Sequence, residues 1–194
     1  MKRRVVHVTR TLDVGGVETQ LVSLLPHLLP DFDVSLVCLH EKGQLAPRLE
    51  ERGVPIRVIR FRDRWSPTAL WRLSRYLRRE EVDIVQTHMY GAGISGIASA
   101  RLAGVPVRIS TIHHHDHWVG SRRIRMDRAL MSWRDAVFCV SEAVRRAYVE
   151  KTCCPAAKCR VMPNGIDLQP FREVRPRGEV LEDLGVPTTH KVVG

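Results

Sequence analysis

Several short stretches carry residue types whose spacing could do chemistry. The first is Asp13-Val14-Gly15-Gly16, set between the β-branched run Val5-Val6-His7-Val8-Thr9 and a segment whose apolar residues Val17, Leu21, Leu24, Leu25 and Leu28 recur three and four apart. That is the pattern of strand, Gly-Gly turn and helix. Glycine lets backbone approach closely, and the first N–H groups of the following helix have no partner within it. Those donors and the positive end of the helix dipole suit a phosphate or a sugar hydroxyl. A merely tight connection would use the same two glycines, and these residues alone leave both readings open. Glu18, in the first helical turn, complements the dipole and is a candidate for the same cleft. Three further stretches are His88 with Tyr90, the run His113-His114-His115-Asp116-His117, and Ser141-Glu142.

Other chemistries fail on spacing. The dinucleotide fingerprint Gly-x-Gly-x-x-Gly is not met, and there is no Walker loop. The histidine run invites a metal, but consecutive residues leaving a strand point in alternating directions, so the reading is one functional His113 with polar loop neighbours. Asp31-Phe32-Asp33 matches a metal-holding Asp-x-Asp, yet it lies between a helix end and the second strand, where turn chemistry explains it. Ser141 lacks a Gly-x-Ser-x-Gly elbow, which argues against a hydrolase. Cys38 and Cys139 sit in apolar runs as core thiols, while Cys153, Cys154 and Cys159 crowd together without the second pair that a zinc knuckle needs.

The elements that must position these residues alternate along the chain. Further strands are expected at 32–39, 54–61, 83–87, 105–112, 136–140 and 160–162. Helices are expected at 44–52, from Ser66-Pro67 through Leu70, Leu73 and Leu77, across 91–102, around 124–133, and from Ser141 to about Lys151. Strand–helix alternation with continuous apolar strands implies an α/β fold, a Rossmann-like doubly wound parallel sheet covered on both faces. Ligands in such sheets bind beyond the carboxyl ends of the strands. That rule gathers Gly15, Gly16, His88, Tyr90, His113, Ser141 and Glu142 on one rim.

The chain has 194 residues, a hydrophobic fraction of 44% and a formal net charge of +10, which suits one good-sized domain with the start of another. The charge admits nucleic acid, an anionic membrane surface or a phosphorylated substrate. The arginines are spread over helix patterns (Arg72, Arg75, Arg78, Arg79; Arg122, Arg123, Arg125, Arg128), and no nucleic-acid-binding motif accompanies them, so no nucleic-acid partner is expected. Five cysteines without framework spacing, no signal-peptide pattern and no apolar run of spanning length give the expectation of a cytoplasmic protein.

An ordered set of motifs then becomes specific. Gly15-Gly16-Val17-Glu18 after the first strand, Thr111-Ile112-His113 ending the fifth, Val140-Ser141-Glu142 after the sixth and Val161-Met162-Pro163-Asn164-Gly165-Ile166-Asp167 closing the unit resemble the amino-terminal half of family-four retaining glycosyltransferases. The resemblance covers residues 5–170 and implies one of the two Rossmann-like domains of a GT-B fold, the half that mainly holds the acceptor. It implies acceptor or donor-phosphate contact for Gly15 and Gly16, a place beside the transferred sugar for His113, and a substrate-binding role for Asn164. Glu142 and Glu150 imitate the acidic spacing of the family's donor domain, but they fall in the wrong motif and are not carried over. Residues 1–170 are thus expected to form the domain, and 171–194 a linker and the cut-short start of a donor-binding domain, with Lys191-Val192-Val193-Gly194 as its first strand. The implied partners are a nucleotide-sugar donor, held by a second domain, and a glycan, lipid-linked or small-molecule acceptor. No cofactor or metal is expected, the protein sits in the cytoplasm or at the inner face of the membrane, and the chain should be inactive alone. The rival reading is a non-catalytic module that binds a glycan or an anionic lipid.

Overall fold

The computed structural model describes residues 2–62, 66–114, 120–168, 172 and 175–192. Seven parallel strands, β1 (Arg3–Thr9), β2 (Phe32–Cys38), β3 (Ile56–Val58), β4 (Ile84–His88), β5 (Val107–Ile112), β6 (Ala136–Cys139) and β7 (Cys159–Val161), lie in the order β3-β2-β1-β4-β5-β6-β7. The chain therefore winds outward from β1 in one direction to β3, returns to β4 and winds outward the other way. The crevice at the reversal, between β1 and β4, is where such sheets bind ligands.

Helices α1 (Gly16–Leu28) and α2 (Ala46–Glu51) follow β1 and β2, and α3 (Pro67–Arg79), α4 (Met89–Ala103), α5 (Ser121–Ala129) and α6 (Glu142–Thr152) fill the remaining crossovers. Because crossovers keep one hand, the two winding directions put these groups on opposite faces. Leu21 and Leu25 of α1 and Leu49 of α2 pack on Val34, Leu36 and Cys38. On the other face Leu73 and Leu77 of α3 and Ala92 and Ala100 of α4 pack on Val6, Val8 and Val85, and Tyr148 of α6 packs on Val137 and Cys139. Coverage of the first face is less complete than the apolar strands suggest. The helices that pack there, α1 and the short α2, cover β1 to β3, and Ile84, Val107, Ile109, Ala136 and Phe138 of the remaining strands are half-buried.

Local signals account for the element ends. Ser66 caps α3, its Oγ accepting from the Ala69 N–H at 3.4 Å, with Pro67 in the first turn. Gly104 ends α4 in the left-handed region at φ 79°. The expected burial of the fourth helix holds, since every residue from Ala92 to Ala100 is buried. This helix lies close because Gly96 has no side chain: a Cβ there would collide with Thr87 of β4. Two expectations change. β3 forms only Ile56–Val58 of the apolar run 54–61, as an edge strand pairing with three residues of β2. Leu24 is half-buried and outside the core cluster, because α1 seats the 21/25 line against the sheet.

Residues 171–194 hold an element that the apolar pattern did not mark. A short helix α7 (Arg177–Asp183) buries Leu181, and Arg175 donates to Asp183 at 2.7 Å. Lys191 and Val192 are not in a strand, while Val193 and Gly194 lie outside the described residues.

Candidate functional site

The chemistry at the carboxyl rim is built from the strands inward. His7 pairs in register with Gln86, and His88 with Thr111. Side chains of paired residues share a face in a parallel sheet, so His7, His88 and His113 stand on one face, each two residues further toward the rim than the last. They form a line: His7 Nδ1 lies 2.9 Å from His88 Nε2, and His88 Nδ1 lies 3.1 Å from His113 Nε2. The first two rings stack at 5.2 Å between centroids, and the second pair lies at 5.4 Å with a tilt of 38°. His7 and His88 are buried, and His113 is half-buried at the rim. Beside the line Gln86 Nε2 donates to Thr111 Oγ1 at 2.8 Å.

Burial sets the charge state. Desolvation lowers His7 from 6.5 to about 4, and desolvation with the neighbouring His114 lowers His113 to about 4. His88 is pushed well below the usual value by burial first, then by His7 and His113 on either side. All three are neutral at pH 7, so each ring offers one donor and one acceptor and no base strong enough to be found protonated at rest.

His88 also opens α4, and the next residue, Met89, has φ 65°. A non-glycine residue in the left-handed region costs on the order of 1 kcal/mol and is held by the surrounding structure. Here it turns the chain sharply out of β4, so that His88 points along the sheet while half-buried Tyr90 enters the first turn of the helix.

The Gly15-Gly16 turn sits after β1 on the same rim. Leu12 ties it to the next loop, donating to Lys42 O at 3.0 Å and accepting from Leu45 at 2.8 Å. That contact requires Gly43, which has φ 79° and whose Cβ would strike the Leu12 backbone. The first helical hydrogen bond of α1 is Thr19 N–H to Gly15 O at 2.9 Å, so the N–H groups of Gly16, Val17 and Glu18 are the end donors of the helix. Gly15 is extended at φ −166°, a conformation open to any residue. Its missing side chain makes room for the Glu18 carboxylate, which folds back over the turn, while the space beside Gly16 is open.

Two of the remaining candidates, Ser141 and Glu142, have structural partners. Ser141 caps α6, its Oγ accepting from Val144 N–H at 3.2 Å. Glu142 accepts two hydrogen bonds from Arg145, at 2.8 and 2.7 Å, which hold its carboxyl below the usual range. Asn164 is exposed beyond β7. Asp33 lies at the amino end of β2, away from the rim, 3.4 Å from Arg4. Among the described residues no group of three or more His, Cys, Asp or Glu side chains could hold a metal ion; His115, Asp116 and His117 lie outside them. Cys153, Cys154 and Cys159 are free thiols, the last two 3.0 Å apart.

Two buried residues, one in the histidine line and one in the scaffold beneath β5, escaped sequence reasoning. His7 looks like one polar residue in a valine strand, and its histidine at a position that must be buried was the available signal. Arg134 is 1% exposed and holds the floor of β5: it donates to Ser110 at 2.9 Å, to Asp127 at 2.5 Å and to Tyr148 at 3.2 Å. Nothing in its local sequence separates it from the surface arginines around it.

The sheet order, the reversal between β1 and β4 and the loaded carboxyl rim define a Rossmann-like α/β domain. Its fold recurs in one half of an Anabaena HepE structure in complex with UDP and glucose (TM-score 0.79, 16% identity, 94% of this chain and 50% of that one). It recurs likewise in a glycosyltransferase from Rickettsia africae (TM-score 0.79, 17% identity, 97% and 51%). The model of Glycosyltransferase Family 4 matches residues 14–170, and the chain belongs to that family. It is also 30% identical over 201 residues to the UDP-Gal:alpha-D-GlcNAc-diphosphoundecaprenol alpha-1,3-galactosyltransferase of Escherichia coli, covering 94% of this chain and 50% of the relative. The chain thus spans about half the length of the curated relative it matches.

Proposed function

We propose that this chain is the acceptor-side domain of a retaining glycosyltransferase that moves a sugar from a nucleotide-sugar donor to a glycan or lipid-linked acceptor, a sugar on a lipid diphosphate being the leading candidate. The observation that carries the reading is the half-buried His113 at the carboxyl rim, held from below by two buried imidazoles. A neutral, fixed imidazole serves positioning: it hydrogen-bonds a hydroxyl of the transferred sugar or of the acceptor and sets its approach. The end N–H groups of α1 at Gly15-Gly16 would meet negative charge near the reacting centre. Glu18, Tyr90, Ser141, Glu142 and Asn164 complete the rim around the acceptor. None of these steps calls on a metal. The donor diphosphate would be held chiefly by a second domain, with residues 1–170 forming the acceptor domain and 171–194 leading into the next.

The test is release of nucleoside diphosphate from a panel of sugar nucleotides with a lipid-diphosphate-linked sugar acceptor. The chain is assayed alone and joined to a donor domain. Negligible turnover alone and turnover in the joined enzyme are expected. His113→Ala in the joined enzyme should lower turnover about a hundredfold, roughly 3 kcal/mol on the barrier, with little change in melting temperature. Robust transfer by the isolated chain, or an unimpaired His113→Ala enzyme, would overturn the assignment.

A lipid-linked acceptor places the enzyme at a membrane, and one surface supports that placement. A groove of about 620 Å³ between β3 and α3 is lined by Arg57, Arg60, Arg72, Arg75 and Arg79 together with Trp71, which is 58% exposed. Arg75 lies over the Trp71 ring at 5.1 Å. Such an arginine–aromatic surface suits an anionic bilayer, each basic side chain contributing on the order of 1 kcal/mol near it. The attachment proposed is peripheral, through this basic surface; no helix among the described residues is long and apolar enough to cross a membrane. Co-sedimentation with anionic vesicles should be strong at low salt, weak at high salt and weakened by Arg72→Glu with Arg75→Glu; binding indifferent to salt and lipid charge would refute it.

A further inference from the structure

Three thiols that the proposed reaction does not use gather where α6 meets β7. Cys154 follows the end of α6 and Cys159 opens β7, and their sulfurs lie 3.0 Å apart. Cys139, at the end of β6, shares a side-chain hydrogen bond with Cys159. All three are buried and free, and the neighbouring Cys153 is exposed. We propose that Cys154 and Cys159 form an oxidation site, a dithiol that the fold sets to close into an internal disulfide when a small peroxide reaches it. The site is independent of the function proposed above. It lies on the opposite face of the sheet from the histidine line, since Cys139 pairs with Ile112 while His88 pairs with the adjacent Thr111.

Local structure sets the distance. The chain between the two cysteines is a single 3-10 turn, Ala156–Lys158, in which Lys158 N–H donates to Pro155 O at 2.9 Å and doubles the chain back. The Lys158 ammonium pins this turn to the scaffold, donating to Arg134 O at 2.7 Å and to Met131 O at 3.3 Å. Sulfurs in a disulfide stand about 2.0 Å apart, so the pair has roughly 1 Å to close, within reach of small side-chain rotations. Cys139 is the rival partner for Cys159 and fails on backbone geometry. Cys159 pairs with Val137 and Cys139 with Val161, so the two are diagonal neighbours, one strand apart and two residues out of register. With strands about 4.8 Å apart and a rise of about 3.3 Å per residue, their Cα atoms stand about 8 Å apart, beyond the roughly 7 Å that a disulfide spans. Cys153 is turned to solvent as the left-handed cap of α6, at φ 54°.

The chemistry balances as two thiols and one peroxide giving one disulfide and two waters. One cysteine, as thiolate, attacks a peroxide oxygen; the O–O bond breaks, hydroxide leaves to become water with the proton the thiol gave up, and a sulfenic acid remains. The second sulfur attacks the sulfenic sulfur; the S–S bond forms, the S–O bond breaks and the second water leaves. The hydrogen bond with Cys139 holds Cys159 up at about 11, and the hydrogen bond with Cys159, then burial, push Cys154 higher. Both carry protons at pH 7, so closure takes minutes to hours. Access is through the edge of the sheet. β7 is a three-residue edge strand, and Pro155, Ala156, Ala157 and Arg160 around the pair are exposed, so fraying of this segment uncovers both sulfurs without unfolding the domain. The closed bond ties the end of α6 to the strand that leads out to Asn164.

The test is a thiol map of the whole chain before and after exposure to hydrogen peroxide. Free thiols are blocked with iodoacetamide, the chain is cut with trypsin, and the peptides are weighed without reduction. Cleavage after Lys151, Lys158 and Arg160 separates the two cysteines. The expected product is therefore Thr152–Lys158 joined to Cys159-Arg160, lighter by two hydrogens than the free peptides and undone by dithiothreitol. The crosslink should also form in Cys153→Ser and be absent from Cys154→Ser. The closed chain should melt roughly 4 to 8 °C above the reduced one, from the short loop that the bond constrains. Cys159 joined instead to Cys139 or Cys153, thiols carried to sulfinic acid without a crosslink, or a closed chain that melts no higher than the reduced one would each overturn the proposal. If Cys154→Ser does not fold, the Cys153→Ser map decides the matter, because Cys154 is then the one thiol left in the peptide Thr152–Lys158.

Discussion

Acidification should destabilise this domain well before its carboxylates titrate, and the three line histidines fix the size of the effect. Unfolded, a histidine has the ordinary value of 6.5; folded, His7 is lowered to about 4. Between those values the unfolded chain holds a proton that the folded chain does not, so stability rises with pH and is lost as pH falls from 6.5 toward 4. Above 6.5 neither state binds the proton and the term is absent. At pH 5 the linkage relation gives a loss of about 2 kcal/mol for His7 relative to neutral pH. His113 has the same lowered value, but part of its ring meets water, so its share is discounted to about 1 kcal/mol. His88 adds in the same direction. A total of at least about 3 kcal/mol corresponds to a fall in melting temperature of roughly 6 to 12 °C for a chain of this size. The assay is thermal unfolding of the chain between pH 7.5 and 5, with urea unfolding at the same points to extract proton uptake. His7→Asn should flatten the profile, since it removes one titrating group from the line. A stability that is unchanged across this window, or a wild-type profile that His7→Asn leaves untouched, would refute the claim that these rings are buried neutral.

Other expectations concern the scaffold. Leu25→Ala should cost about 2 to 5 kcal/mol because the side chain is fully buried under α1, whereas the half-buried Leu24→Ala should cost less than about 1 kcal/mol; urea midpoints of the two variants compare them directly. Asp127→Ala strands the Arg134 guanidinium, whose Nη2 lies 2.5 Å from the lost carboxylate in a site where both residues are at most 2% exposed. A loss of about 3 to 5 kcal/mol is expected by denaturant unfolding. Gly96→Ala should lower stability by about 1 to 3 kcal/mol, since the new Cβ pushes on Thr87 and through it on the Ser110 hydroxyl 3.0 Å away. A neutral outcome in a thermal melt would show that α4 can lift from the sheet.

Much of the fold is written in local pattern. The alternation of apolar strands with helices of matching period, Ser66-Pro67 before α3, Gly104 after α4 and Ser141 before α6 are each decided within a few residues, because hydrogen-bond caps and φ preferences act over one turn. The placing of the candidate residues on one rim was also legible, since in a parallel sheet every strand ends on the same side. Sequence alone likewise carried the ordered motifs that match the family over residues 14–170.

What only the tertiary structure decided is which of those residues touch. His7, His88 and His113 are 81 and 25 residues apart along the chain, and their alignment depends on the register between β1, β4 and β5, which no local pattern encodes. The same holds for Arg134, one arginine among many until α5, α6 and β5 close around it. It holds too for the uneven cover of the sheet, which follows from the direction of winding and not from the composition of any strand. Sequence fixes what each segment prefers over a few residues, where entropy and hydrogen bonding are local. The charge state of a buried ring depends on which distant neighbours exclude water from it, and that is settled only when the strands pair.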